Sequence, residues 1–349
     1  MQTDLNDYDY SAIRPEYLPY LKLNALKGRP IPLHTFHDGN RWHLWIPLEN
    51  GLLQPIRVHD CVETIYLAPK PVRISDAYFR FFDFIYKHVE SKHTNSFIAA
   101  LTSDVFNLGA SLKKLDLLRT FENFEGKSRL VSTELEYLLV LCRSMFDLLQ
   151  EISKRIWDTI ELLDTSIKKQ KLPDSFGKVV LYQNSIQSPQ DIQKRFGLPL
   201  SLAEWYSECY PFFCKLKKVR DAIVHQPIQQ PLIYINDKGF SIGVDSSPLP
   251  FREMMQWPEH ILENGRIGSL NYFVAYFIHE TLDACEKFVV AITREIHFAP
   301  DFAPDFAFFM RSPSMASLLG IRRVLDADPW AEFTLSENFL AEQYASEDT

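Results

Sequence analysis

Residues 133–156 read TELEYLLVLCRSMFDLLQEISKRI. Leu135, Leu138, Leu139, Cys142, Met145, Phe146, Leu149, Ile152 and Ile156 recur at steps of three and four, which places them on one face of a long amphipathic helix. Thr133 and Glu136 have capping-box spacing and mark the expected start. An apolar stripe this long must be covered by other elements, and the chain offers helices on both sides of it.

Upstream, Ser75 is the expected N-cap of DAYFRFFDFIYKHVES, a second helical segment runs over 94–121, and Gly126 punctuates the chain. Downstream, 173–199 is polar and irregular, which predicts a long connection. Ser201 and Glu204 form a second capping-box pair and open a helix that ends at Pro227; Pro211 predicts a kink or restart inside it. Leu270, Phe273, Val274, Phe277, Ile278, Cys285, Phe288, Val289, Ile292 and Ile296 share one face of a helix over 269–296.

Two stretches read as β. Between Pro30 and Pro71, RWHLWIPL and CVETIYLAP are short, rich in β-branched and aromatic residues, and bounded by turn residues at 38–40 and 50–51. PLIYINDKGFSIGV, 231–244, is a hairpin with its turn at 236–239. FAPDFAPDFAF, from Phe298, carries prolines that forbid a regular helix and reads as an aromatic strap on the surface or across a partner. The expected fold is mainly α: a helical bundle with a small N-terminal β-element and an inserted β-hairpin. Its segments are a β-rich 1–74, a helical connection 75–128, the bundle 129–298 with the hairpin at about 231–244, and a strap and tail 299–349.

At 349 residues and 46% hydrophobic content the chain can bury a sizeable core, and a formal net charge of −8 excludes a generic, charge-driven nucleic-acid coat. The first residues, MQTDLNDYDY, are polar and acidic, and no uncharged stretch is long enough for a bilayer, so a cytoplasmic protein without a membrane partner is expected. The five cysteines contain no C-x-x-C pair and point to neither disulfides nor structural zinc. No phosphate-binding G-x-x-x-x-G-K-[ST], dinucleotide G-x-G-x-x-G or G-x-S-x-G elbow occurs, and no cofactor is expected. His34, His37, His43 and His59 gather in the N-terminal β-region near Asp38, but their spacing fits no closed metal site, and His279-Glu280 lacks the second histidine of a zinc-protease helix.

The chemistry concentrates in KLKKVRDAIVHQP, 215–227. Arg29 and His34 repeat the spacing of Arg220 and His225, yet the prolines of RPIPLH rule out a helix there, so context carries the argument. In a helix Asp221 and His225, four apart, share one face and Arg220 borders it, while Phe212, Leu216, Val219 and Ile223 form the opposite, apolar side. A helix C-terminus favours the protonated imidazole, so His225 is suited to proton exchange. Lys215, Lys217 and Lys218 precede the pair, and a second basic run at 168–171 would enlarge the patch if the two met. Arg143 and Asp147, four apart on the long helix, form either a solvated ion pair or a group facing the motif.

At RDAIVH the sequence resembles the HEPN superfamily, helical bundles whose ribonuclease members carry an arginine, usually a polar residue, several intervening positions and a histidine. The resemblance spans roughly Leu130 to Ile296; Asp221 stands where asparagine is frequent, and both β-stretches lie outside the minimal bundle. It implies metal-independent RNA cleavage at a site composed by two protomers. His225 would move the 2′-hydroxyl proton, Arg220 would stabilise the phosphoryl oxygens and Asp221 would orient the histidine or the arginine. It also implies an RNA substrate, a homodimer, an antitoxin or regulatory partner, and a toxin or defence role. The alternative is a non-catalytic module of the same scaffold that binds nucleotides, RNA or protein.

Overall fold

A computed structural model describes residues 11–26, 33–121, 125–225, 231–244, 251–254, 257–336 and 338–340, with the side chains of Arg57, Val224 and His225 outside the described set. Helix takes about 52% and strand 15%, and the described residues form a six-stranded mixed sheet and two further sheets as well as helices. This corrects the expected mainly helical bundle. Strands from the two ends of the chain pair with each other, and no local pattern reports that pairing. Two compact units result, Met1–Ser91 with Phe298–Pro313 and Lys92–His297 with Ser314–Thr349, along other lines than the four segments read from the sequence.

The first unit is built on β1 (Thr35–His37), β2 (Trp42–Pro47), β3 (Leu53–Val58), β4 (Thr64–Ala68), β5 (Ala77–Tyr78) and, from far along the chain, β12 (Ala307–Arg311). The order is β3-β2-β1-β4-β12-β5, with β1 and β4 parallel. Asp38 sets the first hairpin by accepting from the amides of Asn40 and Arg41, both at 2.8 Å, while Gly39 takes φ +102°. The expected surface strap is a correction: Phe302 and Phe308 are buried, and β12 lies between β4 and β5. Helix α1 (Leu23–Leu26) is short. The helix expected from Ser75 is also shortened, since β5 takes 77–78 and α2 (Arg80–Phe84) runs into a π-turn, Ile85–Val89. Lys87, on that turn, is buried against Asp301 at 2.9 Å and the Phe306 carbonyl at 2.7 Å, which clamps the proline-rich segment in place.

The second unit holds four long helices, α3 (Asn95–Thr120), α4 (Lys127–Thr159), α7 (Leu200–His225) and α8 (Leu270–Glu295). The stripe read from 133–156 is buried on α4, although the helix begins at Lys127. Thr133 is therefore internal, its hydroxyl donating to the Leu130 carbonyl rather than capping. Phe146 meets Phe212 and Phe213 while Gln150 accepts from the Tyr206 hydroxyl, so α4 and α7 run antiparallel. The pairs Phe212–Phe277 and Trp205–Phe288 make α7 and α8 antiparallel as well. Between α4 and α7 the expected long connection is instead α5 (Phe176–Val180), a β6–β7 hairpin (Leu181–Tyr182, Ser185–Ile186) and α6 (Pro189–Phe196). Phe176, Val179, Val180 and Ile192 are fully buried, which is why this segment orders.

Pro211 neither ends nor restarts α7. The helix is continuous over Leu200–His225, held by the buried Tyr210, Phe212 and Phe213 around the proline, and Ser201 lies inside it with its hydroxyl on the Ala291 carbonyl. The hairpin at 231–244 is present as β8 (Ile233–Asn236) and β9 (Gly239–Gly243), with Asn236 paired to Gly239. It extends through β11 (Ile267–Ser269) and β10 (Leu262–Glu263) into a four-stranded sheet. Short helices α9 (Met315–Leu319) and α10 (Ile321–Asp326) close the unit. Burial pushes the Cys142 and Cys209 thiols up to about 12, and all five cysteines are free. Among the described residues no helix is long and apolar enough to cross a membrane.

Candidate functional site

The last two turns of α7 carry the residues singled out by sequence. Leu216 and Val219 are fully buried, so the apolar side of the helix is used for packing and the polar side is left to solvent. On that polar side Nη1 of Arg220 donates to Oδ1 of Asp221 at 3.1 Å, with both side chains 42% exposed. Sequence neighbours on a helix do not face each other, and the long arginine stem makes this contact by bending toward the shorter aspartate. No other partner of Arg220 is found among the described residues, so Nε and Nη2 keep their donors. His225 is the last residue of α7, one turn beyond Asp221; its side chain lies outside the described residues.

The lysines before the pair are divided. Lys218 lies 3.9 Å from Glu253, both well exposed, whereas Lys215 and Lys217 have no ion-pair partner among the described residues. Glu253 gave no sequence signal, because it lies 35 residues away on a short 3-10 turn, Phe251–Glu253. The second basic run does not join them. The backbone amide of Gln170 donates to the Phe196 carbonyl and Lys169 lies 4.9 Å from the Trp157 ring, beside the start of α7. Fifteen to twenty residues of helix then separate the two runs, about 25 Å.

Arg143 and Asp147 also stand apart. Nη1 of Arg143 is 2.5 Å from Oδ1 of Asp147, an ion pair that lacks hydrogen-bond alignment, and the guanidinium lies 4.4 Å from the ring of Phe213. Phe213 precedes Arg220 by seven residues, about 10 Å of helical rise. Arg143 therefore faces the middle of α7, with Asp147 half-exposed beside it, and the pair does not reach the motif at the helix end.

In the N-terminal sheet His43 Nε2 is 2.8 Å from Asp38 Oδ2, and His37 Nδ1 accepts from the Gly39 amide at 3.1 Å. Burial, the largest influence, lowers the His37 pKa. These contacts tie down the β1–β2 turn, and no group of three His, Cys, Asp or Glu among the described residues is placed to hold a metal ion. No family model, curated protein or solved structure matches the chain.

Proposed function

We propose that the end of α7 is the active site of a metal-independent endoribonuclease of the toxin or defence type, acting as a homodimer. The observation that supports it is the half-exposed Arg220–Asp221 pair one helical turn before His225. Asp221 holds the guanidinium through one nitrogen and leaves a planar fork of donors for a phosphate. His225 takes the proton of a ribose 2′-hydroxyl, whose oxygen attacks the adjacent phosphorus. The bond to the 5′-oxygen breaks, that oxygen takes the proton back from the protonated imidazole of His225, and the products are a 2′,3′-cyclic phosphate and a 5′-hydroxyl. Arg220 offsets the charge that gathers on the phosphoryl oxygens, and Lys215 and Lys217 draw the backbone of the RNA toward the helix. The resemblance of RDAIVH to HEPN ribonucleases supports the same assignment.

The second reading, a non-catalytic module that binds RNA, nucleotides or a protein, is favoured by the existing partners of Arg220 and Lys218. The deciding experiment incubates the full chain, Arg220→Ala and His225→Ala with total RNA in EDTA and maps the ends produced. Ends bearing cyclic phosphate that fall by roughly 100-fold or more in His225→Ala establish catalysis, that factor being the usual contribution of a general acid or base. Equal, background-level cleavage by all three, with each folded, overturns it in favour of the binding module.

A further inference from the structure

The seam between α3 and α4 opens into a cleft of about 420 Å³ lined by Asn107, Ser111, Lys114, Thr133, Glu134 and Tyr137. Glu134 stands on the apolar stripe of α4, three residues after Val131 and four before Leu138, and its side chain is only 7% exposed. Oε2 accepts from the Lys114 ammonium at 2.6 Å, while Oε1 is buried with no hydrogen-bond partner among the described residues. A carboxylate withdrawn from water needs donors on both oxygens, and here one ammonium serves one of them. That ammonium belongs to a side chain 59% exposed, which reaches in from solvent.

We propose that this cleft binds a small primary amine, whose ammonium replaces that of Lys114 on Glu134. An ammonium brings three donors on one nitrogen, and a ligand free of the lysine's tether can move deep enough to serve both carboxylate oxygens. The rest of the lining suits the same chemistry. Tyr137, 42% exposed, offers a ring face to a cation or an aliphatic stem. Thr133 already donates to the Leu130 carbonyl and so presents only lone pairs to a ligand. The volume lies at the lower end of the range for small-molecule sites, and the net charge of −8 concentrates cations near the surface. Lys114 acts as an internal competitor that occupies the carboxylate until an amine displaces it. This site is separate from the α7 pair and does not depend on RNA cleavage.

The test titrates 1,4-diaminobutane into the full chain, Glu134→Gln and Lys114→Met, by calorimetry or ligand-observed NMR. Saturable binding is expected to weaken roughly tenfold or more in Glu134→Gln, which loses a charge-assisted hydrogen bond. It is expected to tighten by roughly two- to fivefold in Lys114→Met, because the competing ion pair is exposed and weak. Lys114→Met keeps the carboxylate and moves affinity in the opposite direction, so damage to the fold cannot imitate it. Equal affinity in all three proteins, or no binding to either the natural chain or Lys114→Met, overturns the proposal.

Discussion

The guanidinium of Arg311 on β12 donates to the carboxylate of Asp76 at 2.7 Å, across 235 residues of sequence. Both side chains are almost fully buried, Nη1 of Arg311 reaches Asp60 at 3.0 Å, the Tyr66 hydroxyl donates to Asp76 at 2.5 Å, and the Trp42 ring lies 4.7 Å from the guanidinium. Arg311→Met leaves Asp76 buried without its countercharge, at an expected cost of about 3–5 kcal/mol. Arg311→Lys recovers only part of this, because an ammonium cannot reproduce the planar fork. Urea unfolding followed by tryptophan fluorescence reads both variants, and an unchanged midpoint in Arg311→Met would show that the network contributes nothing to the sheet.

Arg143 belongs to packing. Its guanidinium covers Phe213 and is 12% exposed, while Asp147 is 55% exposed. Arg143→Ala is expected to cost about 1–2 kcal/mol through lost stem packing and lost cation–π attraction. Asp147→Ala should stay within about 0.5 kcal/mol, as surface substitutions do. Thermal melts of the two single variants test the asymmetry; equal losses would mean that the ion pair, and not the ring contact, holds the arginine.

Asp104 on α3 supplies a pH dependence. Burial raises its pKa despite a hydrogen bond from Ser144, and its Oδ2 has no partner among the described residues. A carboxyl with a raised folded-state pKa favours the fold while protonated, fully so below the unfolded pKa, and that contribution is lost as pH rises through the folded value. Asp104→Asn, which keeps the shape without the charge, is therefore expected to raise the melting temperature at pH 7, with the gain shrinking as the pH falls toward the carboxyl range. A gain that stays constant between pH 7 and pH 4 would rule out charge burial as its source.

Helices declare themselves locally. The stripe on α4 and the face of α8 repeat every three to four residues, so one reading of 133–156 finds the longest helix, and Asn236 with Gly239 marks a hairpin by turn chemistry alone. The exact ends were less legible: Thr133 and Ser201 have capping spacing, but α4 starts at Lys127, with Val131 buried before the expected cap, and α7 starts at Leu200. Likewise 173–199 looked irregular because its anchors, Phe176, Val180, Ile192 and Phe196, are too sparse to form a period.

For the candidate site, the sequence was enough to place Arg220, Asp221 and His225 near the end of one helix, since Pro227 follows and spacing within a helix is a local property. Only the tertiary structure decided which residues meet. It set Arg143 on Phe213 rather than near Arg220, parted the two basic runs by fifteen to twenty residues of α7, brought Glu253 to Lys218 and Lys114 to Glu134, and drew β12 in beside β4. Contacts of that kind arise when segments distant in sequence bury apolar surface together, and a pattern that repeats every two or four residues carries no record of its distant partner.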